Sequence, residues 1–318
     1  MASGYGPLTG SSRKKEPTPI SPYPMTQSFF AISGATGQTG SAVASTLLQH
    51  GHSVRVLVRN AAKAAAWGAR GAEVMETDFA DSDSLARGLS GAVGAYFLNP
   101  PDYHSSDMFA SAQRMGEVWC EAIERSGVES LVALSSVGAH LATGTGNIYT
   151  THLLEQTLGS LRAEAHFVRA AWFMENWAGA LAVAAKDGVL PSFLAPLDQA
   201  IAMVSASDIG RVCADTLMAG ANAPRITELH GPQEYSPNSI AEEAAAVLKR
   251  DVSSVSVPES DWTSTLSKWG FSPHAIETWG EMIRGFNSGH IVFEGGTCTP
   301  VFGTVDFAEA ANAMNSKV

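Results

Sequence analysis

The chain has 318 residues, 45% of them hydrophobic, and a formal net charge of −11. That length suits one large α/β domain with a smaller lobe, or two domains. An acidic balance with no long run of Lys or Arg argues against nucleic acid or an anionic membrane as the main partner, yet leaves room for a phosphate ligand gripped by a local basic pair.

Residues 1–27 hold Gly, Ser, Pro and Tyr with the basic cluster Arg13-Lys14-Lys15 and no apolar period. Such a segment buries too little surface to offset its ordering entropy and is expected to be disordered. From Ser28 onward, short apolar runs alternate with stretches of helical length. Strands are expected at Phe29–Ser33, Ser53–Val58, 72–75, 93–98, 131–135 and 166–169, with helices between them such as 41–50 and Met108–Ser126. Near-continuous apolar strands imply a sheet covered on both faces. The expected fold is therefore α/β: a doubly wound parallel sheet with a smaller, mainly helical C-terminal lobe. A dinucleotide-binding domain would span 28–231, with 172–196 contributing to the cleft, and a small substrate lobe would occupy 232–318. Asp208 is expected to cap a helix carrying Ile209, Val212 and Leu217 on one face. Ser236-Pro237 should open another that runs to Leu248. Trp262, Trp269, Trp279, Phe286 and Phe293 make the last hundred residues rich in aromatics.

Cys120, Cys213 and Cys298 are far apart and lack CxxC spacing, so neither a disulfide framework nor a structural zinc site is expected. Scattered His residues show no metal-ligand spacing either, and no metal is expected. A reducing, cytoplasmic setting fits this cysteine usage. No run of 18 apolar residues suggests a membrane span, and the N-terminus lacks a signal-peptide core. Ser316-Lys317-Val318 resembles a peroxisomal address only loosely. A homodimer is compatible with the sequence, but no feature argues for one.

The strongest local signal is Ser33-Gly34-Ala35-Thr36-Gly37-Gln38-Thr39-Gly40, between the first strand and the first helix. Gly34 permits a sharp turn, Gly37 lets backbone approach a pyrophosphate, and Gly40 lets the helix pack closely on the sheet. The free N–H groups of the helix start and its partial positive charge favour phosphate. At the end of the second strand an NAD-preferring domain usually carries an acid. Here the chain reads Val58-Arg59-Asn60, with Lys63 one turn later, which points to a 2′-phosphate and hence NADP(H). Asp78-Phe79 after the third strand, Asn99-Pro100-Pro101 after the fourth and Ser135-Ser136 after the fifth lie at the carboxyl edge, where open α/β sheets bind ligands.

Together, 34–40, Arg59-Asn60, Thr77-Asp78-Phe79, Leu134-Ser135-Ser136-Val137-Gly138 and 169–176 resemble the NmrA-like branch of the atypical short-chain dehydrogenases. Within it they look most like the NADPH-dependent quinone and azo-dye reductases. Ser207-Asp208-Ile209, Gly231-Pro232 and Asn287-Ser288-Gly289-His290 fit the same pattern. The resemblance spans roughly 28–310 and implies an NADP(H)-binding domain with a small lobe closing over a cleft. The family includes reductases and also redox-sensing regulators that bind the dinucleotide without turnover.

Many short-chain dehydrogenases use Tyr-x-x-x-Lys, which puts both side chains on one helical face. Here Tyr149 is followed at that spacing by Leu153, and the position where the NmrA-like branch often has Lys is Thr151. The pair is absent. Tyr149 and His152 are then the available proton donors, with Ser136 near the nicotinamide. Trp172, Phe173, Asn176 and Trp177 should line the cleft as flat walls for an aromatic acceptor. Asn287 and His290 are weaker candidates from the lobe. The reading favoured is an NADPH-dependent oxidoreductase passing hydride to a small aromatic acceptor such as a quinone or azo compound. The alternative is an NADP(H)-sensing regulator without turnover.

Overall fold

The computed structural model describes residues 28–315. The tail expected to be disordered and the terminal Ser316-Lys317-Val318 lie outside the described residues. The strands are Phe29–Ser33 (β1), Ser53–Val58 (β2), Glu73–Glu76 (β3), Ala92–Phe97 (β4), Ser130–Ser136 (β5), Glu164–Ala170 (β6), Trp172–Phe173 (β7), Val189–Ser192 (β8), Ile201–Val204 (β9), Ile226–His230 (β10), Glu234–Tyr235 (β11), Ser253–Ser256 (β12) and Thr299–Phe302 (β13). β1 and β2 match the apolar runs residue for residue, and β3 to β6 differ from theirs by one or two residues. The helices are Gln38–Gln49 (α1), Ala65–Ala69 (α2), Ser82–Leu89 (α3), Met108–Ser126 (α4), Tyr149–Leu158 (α5), Ala178–Asp187 (α6), Ala206–Ala219 (α7), Pro237–Leu248 (α8), Glu259–Lys268 (α9), Pro273–Asn287 (α10) and Phe307–Asn315 (α11).

Eight strands form one sheet in the order β13-β10-β6-β5-β4-β1-β2-β3. Every neighbouring pair is parallel. The chain builds outward from β1 through β2 to β3, then returns to lay β4 on the other flank of β1. The crossovers therefore diverge between β1 and β4, the place where a doubly wound sheet opens a crevice at its carboxyl edge. Both faces are covered, which is why the strands are apolar throughout. α1 and α7 bury Val43, Leu47, Ile209 and Leu217 against one face. α3, α4 and α5 bury Leu85, Leu89, Trp119, Leu154 and Leu158 against the other. A third core, built around Trp177, Trp262, Trp279, Phe286 and Phe307, holds the smaller lobe. The segment after residue 231 also sends β13 back to the edge of the large sheet.

α8 starts as its sequence implies. Ser236 is the N-cap, Pro237 opens the first turn, and Ser236 and Ser239 form a reciprocal capping box. Asp208 requires a correction. Ser205 caps α7, and its Oγ accepts from the Asp208 backbone N–H at 3.0 Å. The Asp208 carboxylate, 2% exposed, instead receives the backbone N–H groups of Thr304 and Val305, each at 3.0 Å, and Arg211 at 3.1 Å. It ties the returning C-terminal segment to α7. Asp208→Ala strands those buried donors and should cost about 3 kcal/mol. Urea unfolding reads this directly, and a loss below about 0.5 kcal/mol, the usual range of surface substitutions, would contradict the assignment. No helix among the described residues is long and apolar enough to cross a membrane.

Candidate active site

α1 begins at Gln38 rather than at 41, and the glycines explain the difference. Gly34 adopts φ +67°, in the left-handed region. A Cβ on Gly40 would lie 2.4 Å from the Gly34 carbonyl oxygen, so only glycine lets the helix start directly against the turn. Gly37 is the N-cap without a side-chain hydrogen bond, and no acid occupies the first turn. The leading N–H groups of α1 thus carry no side-chain cap beside the exposed Thr36, Gly37 and Gln38. Thr39 is buried, and its Oγ1 accepts from the Tyr96 hydroxyl at 3.2 Å.

Arg59 and Lys63 are both exposed and enter no salt bridge among the described residues. Asn60 fixes their spacing, because its Oδ1 accepts from the N–H groups of Ala62 and Lys63 and starts the short turn Ala61–Ala64. One acid lies nearby: Glu76 at the end of β3 accepts from the Ala61 N–H at 3.0 Å. The Asp78 carboxylate closes its own turn by accepting from the Ala80 N–H, and half-buried Phe79 stacks towards Trp119 with centroids 6.4 Å apart.

Between the carboxyl edge of the sheet and the smaller lobe lies a cavity of about 760 Å³. Thr39, Asn99, Pro100, Ser135 and Ser136 line it from the sheet. Trp172, Phe173, Asn176 and Trp177 line it from the segment after β6, so all four expected wall residues come together. Phe193, Trp269, Trp279 and Phe286 complete an aromatic box that the sequence patterns did not single out as a site. Trp172 meets Phe286 edge-on at 5.1 Å, and Phe193 meets Trp279 edge-on at 4.6 Å. No described residue in this lining is Asp, Glu, Lys, Arg or His.

The expected donors fall elsewhere. Tyr149 and His152 do not line the cavity. They sit three apart on α5 and share the face turned away from it, while Thr150 and Thr151 face in. Tyr149 packs edge-on against Phe109 at 5.0 Å and stacks on His152 at 5.2 Å. The His152 ring is held between the Ala139 carbonyl at 2.8 Å and the Gln156 amide at 2.9 Å. Asn287 and His290 also stay outside. Asn287 braces the loop carrying Phe193, accepting from the Ala195 N–H at 2.9 Å and donating to the Phe193 carbonyl at 3.2 Å. His290 lies 3.0 Å from the Thr143 carbonyl oxygen.

Behind the cavity, Arg169 on β6 is 4% exposed. Its Nε and Nη2 donate to the two oxygens of Glu155 at 2.8 and 2.7 Å, and its Nη1 donates to Glu294. The Ser135 hydroxyl donates to Glu155 at 2.6 Å. Burial alone would lower the guanidinium pKa, but hydrogen bonds and charge from Glu155 and then Glu294 outweigh it and raise it further. The 169–176 segment thus does two things: it locks the lobe to the sheet and orients a cavity hydroxyl.

The sequence profile of the NmrA-like family matches residues 26–295. The chain belongs to the NmrA-like family. This NmrA-like chain is 24% identical over 289 residues to Quinone oxidoreductase 2 of Escherichia coli (strain K12), covering 89% of the chain and 98% of that protein. Among solved structures it resembles the Escherichia coli NADPH-dependent quinone oxidoreductase complexed with NADPH, with a TM-score of 0.74, 22% identity and coverage of 90% of this chain and 100% of the other. It also resembles the Citrobacter sp. triphenylmethane reductase complexed with NADP(H), at a TM-score of 0.72, 17% identity and coverage of 90% and 99%. Likeness at this identity establishes the doubly wound fold of this NmrA-like protein.

Proposed function

We propose that this chain is an NADPH-dependent reductase that delivers hydride to a neutral aromatic acceptor of the quinone class. The observation carrying the reading is the uncharged aromatic cavity at the carboxyl edge, next to the glycine turn. The residues fit the dinucleotide. The uncapped start of α1 would take the pyrophosphate, and Arg59 with Lys63 would take the 2′-phosphate. Asn99, Pro100, Ser135 and Ser136 would flank the nicotinamide end. When bound, the cofactor supplies the hydride. The remaining work belongs to the chain. The Trp and Phe walls hold a flat acceptor, exclude water and strengthen every polar contact inside. With no cation in the lining, an anionic acceptor would be buried without a counter-charge, so neutral acceptors are preferred.

Purified protein should consume NADPH with naphthoquinone, read as loss of the nicotinamide absorbance. The sulfonated analogue should react at least about tenfold less well, since burying an unpaired charge costs more than 1.4 kcal/mol. Equal rates would contradict the uncharged-cavity argument. Binding of NADPH without consumption by any acceptor would favour the regulatory reading. One observation speaks for that reading: Thr151, at the position where relatives often carry Lys, faces the cavity with its hydroxyl donating to the Ile148 carbonyl.

A further inference from the structure

If hydride reaches a quinone, a proton must follow, and most cavity hydroxyls are already committed. Ser135 donates to Glu155, Thr150 to the Asn147 carbonyl, Thr151 to the Ile148 carbonyl and Ser192 to the Leu194 carbonyl. Thr39 lies at the glycine turn, and Ser136 is an alkyl alcohol, far less acidic than a phenol with its pKa of about 10. The cavity lining contains one phenol among the described residues, Tyr103.

Tyr103 sits on the loop between β4 and α4, and the smaller lobe fixes it there. Its ring stacks on Phe271 with centroids 4.3 Å apart and planes 7° from parallel. Its carbonyl accepts from the Ser272 N–H at 2.9 Å, and the neighbouring His104 ring contacts the Gly270 carbonyl oxygen at 2.9 Å. The Asn147 amide, itself in the lining, donates to the phenol oxygen at 3.3 Å. That leaves the phenol hydrogen free to point elsewhere. Asn147 is held by a close backbone approach. Gly146 has φ +55°, and a Cβ there would lie 1.8 Å from the Thr278 carbonyl oxygen on α10. Burial raises the Tyr103 pKa while the Asn147 hydrogen bond pulls it down. The proton therefore stays on at neutral pH, and a phenolate, once formed, already has a donor.

We propose that Tyr103 is the acid of the reaction and that Asn147 positions it. The inference rests on the hydride reading above. With NADPH bound, the cofactor would supply a hydride, two electrons and one proton, to the acceptor as a nicotinamide C–H bond breaks. The Tyr103 O–H bond then breaks as a new O–H bond forms on the acceptor oxygen that carries the negative charge. Solvent at the cavity mouth returns a proton to the phenolate. The sum is quinone plus NADPH plus one proton giving hydroquinone plus NADP⁺.

Tyr103→Phe keeps the ring on Phe271 and removes only the oxygen. Turnover with naphthoquinone should fall by about 10²- to 10⁴-fold, the usual worth of a general acid. NADPH affinity by fluorescence titration should be unchanged, which also reports that the variant is folded. Two readouts do not need turnover. Naphthohydroquinone should bind the NADP⁺-loaded Tyr103→Phe protein more weakly than the wild type. Asn147→Leu should raise the phenolate titration of Tyr103, taken as the ultraviolet difference against Tyr103→Phe in the same background. Turnover kept by Tyr103→Phe, or lost instead in Tyr149→Phe, overturns the assignment while leaving the reductase reading standing. A wild type that consumes no NADPH overturns both.

Discussion

Arg169→Ala is expected to lower the unfolding free energy by about 3–5 kcal/mol, the cost of leaving a buried charge without its partner. Glu155 has a side chain only 13% exposed, and both of its oxygens face the Arg169 fork. Without the fork, the carboxylate keeps, among the described residues, only the Ser135 hydroxyl as a side-chain donor. The second arm contributes less, because Glu294 is 46% exposed and water screens it. Glu294→Gln should therefore cost under about 1 kcal/mol. The urea midpoint should drop in Arg169→Ala with the slope preserved, showing lost stability rather than an altered denatured state. Replacing both partners, as Arg169→Met with Glu155→Leu, should recover much of the loss, because no charge is then left buried. If the single variant unfolds at the wild-type midpoint, the pair does not anchor the fold.

The second arm, from Arg169 to Glu294, makes a pH prediction. The Arg169 hydrogen bond holds the Glu294 carboxyl below its ordinary range. A depressed carboxyl contributes stability that is fully present above its unfolded pKa and is lost as pH falls through its folded value. Wild-type stability should thus decline on the acid side of the ordinary carboxylate range. Arg169→Ala should lack that share of the slope.

Arg59→Asp carries the second large expectation. It replaces a planar donor fork with an acid where a 2′-phosphate is proposed to lie. A hydrogen bond to a charged group is worth about 1.5–3 kcal/mol, so NADPH affinity should fall by one to two orders of magnitude or more once repulsion is added. NADH, with a hydroxyl at that place, should bind as well as before or better, since an acid there accepts from the ribose. Calorimetry with both dinucleotides decides it. Equal losses would remove the phosphate assignment, and no loss would make Arg59 a solvated surface residue. The Ala61 contact of Glu76 suggests that one acid is already tolerated nearby because it is tied to backbone.

These expectations differ in how far the sequence alone supported them. The glycine turn was readable because a backbone that folds back on itself can be built from few residue types, and Gly34 and Gly40 have no substitutes. Arg59 was singled out by position, since it follows the second strand, where a dinucleotide-binding sheet of this topology usually meets the adenosine ribose. Tyr103 was not. It lies just beyond Asn99-Pro100-Pro101, but nothing local marks a tyrosine in a loop as facing a cavity. Its partners Asn147 and Phe271 are 44 and 168 positions away along the chain. Tyr149 looked better placed only because it stands where the Tyr-x-x-x-Lys pattern would begin, whereas which face of that helix meets the cleft is not visible in sequence. Asp208 was misread for a related reason. A carboxylate near a helix start suits a cap, and its true partners at 304 and 305 arrive from the far end of the chain.

The amino-acid order by itself determined the local matters: which runs are strands, where the glycine turn falls, and which charge stands beyond the second strand. Backbone sterics and burial periodicity act over a few residues and leave their mark there. Only the tertiary structure decided which side chains share the cavity, because that depends on how the lobe closes on the sheet. Arg169, Asp208 and the Tyr103 loop set that closure through contacts between residues far apart in the chain.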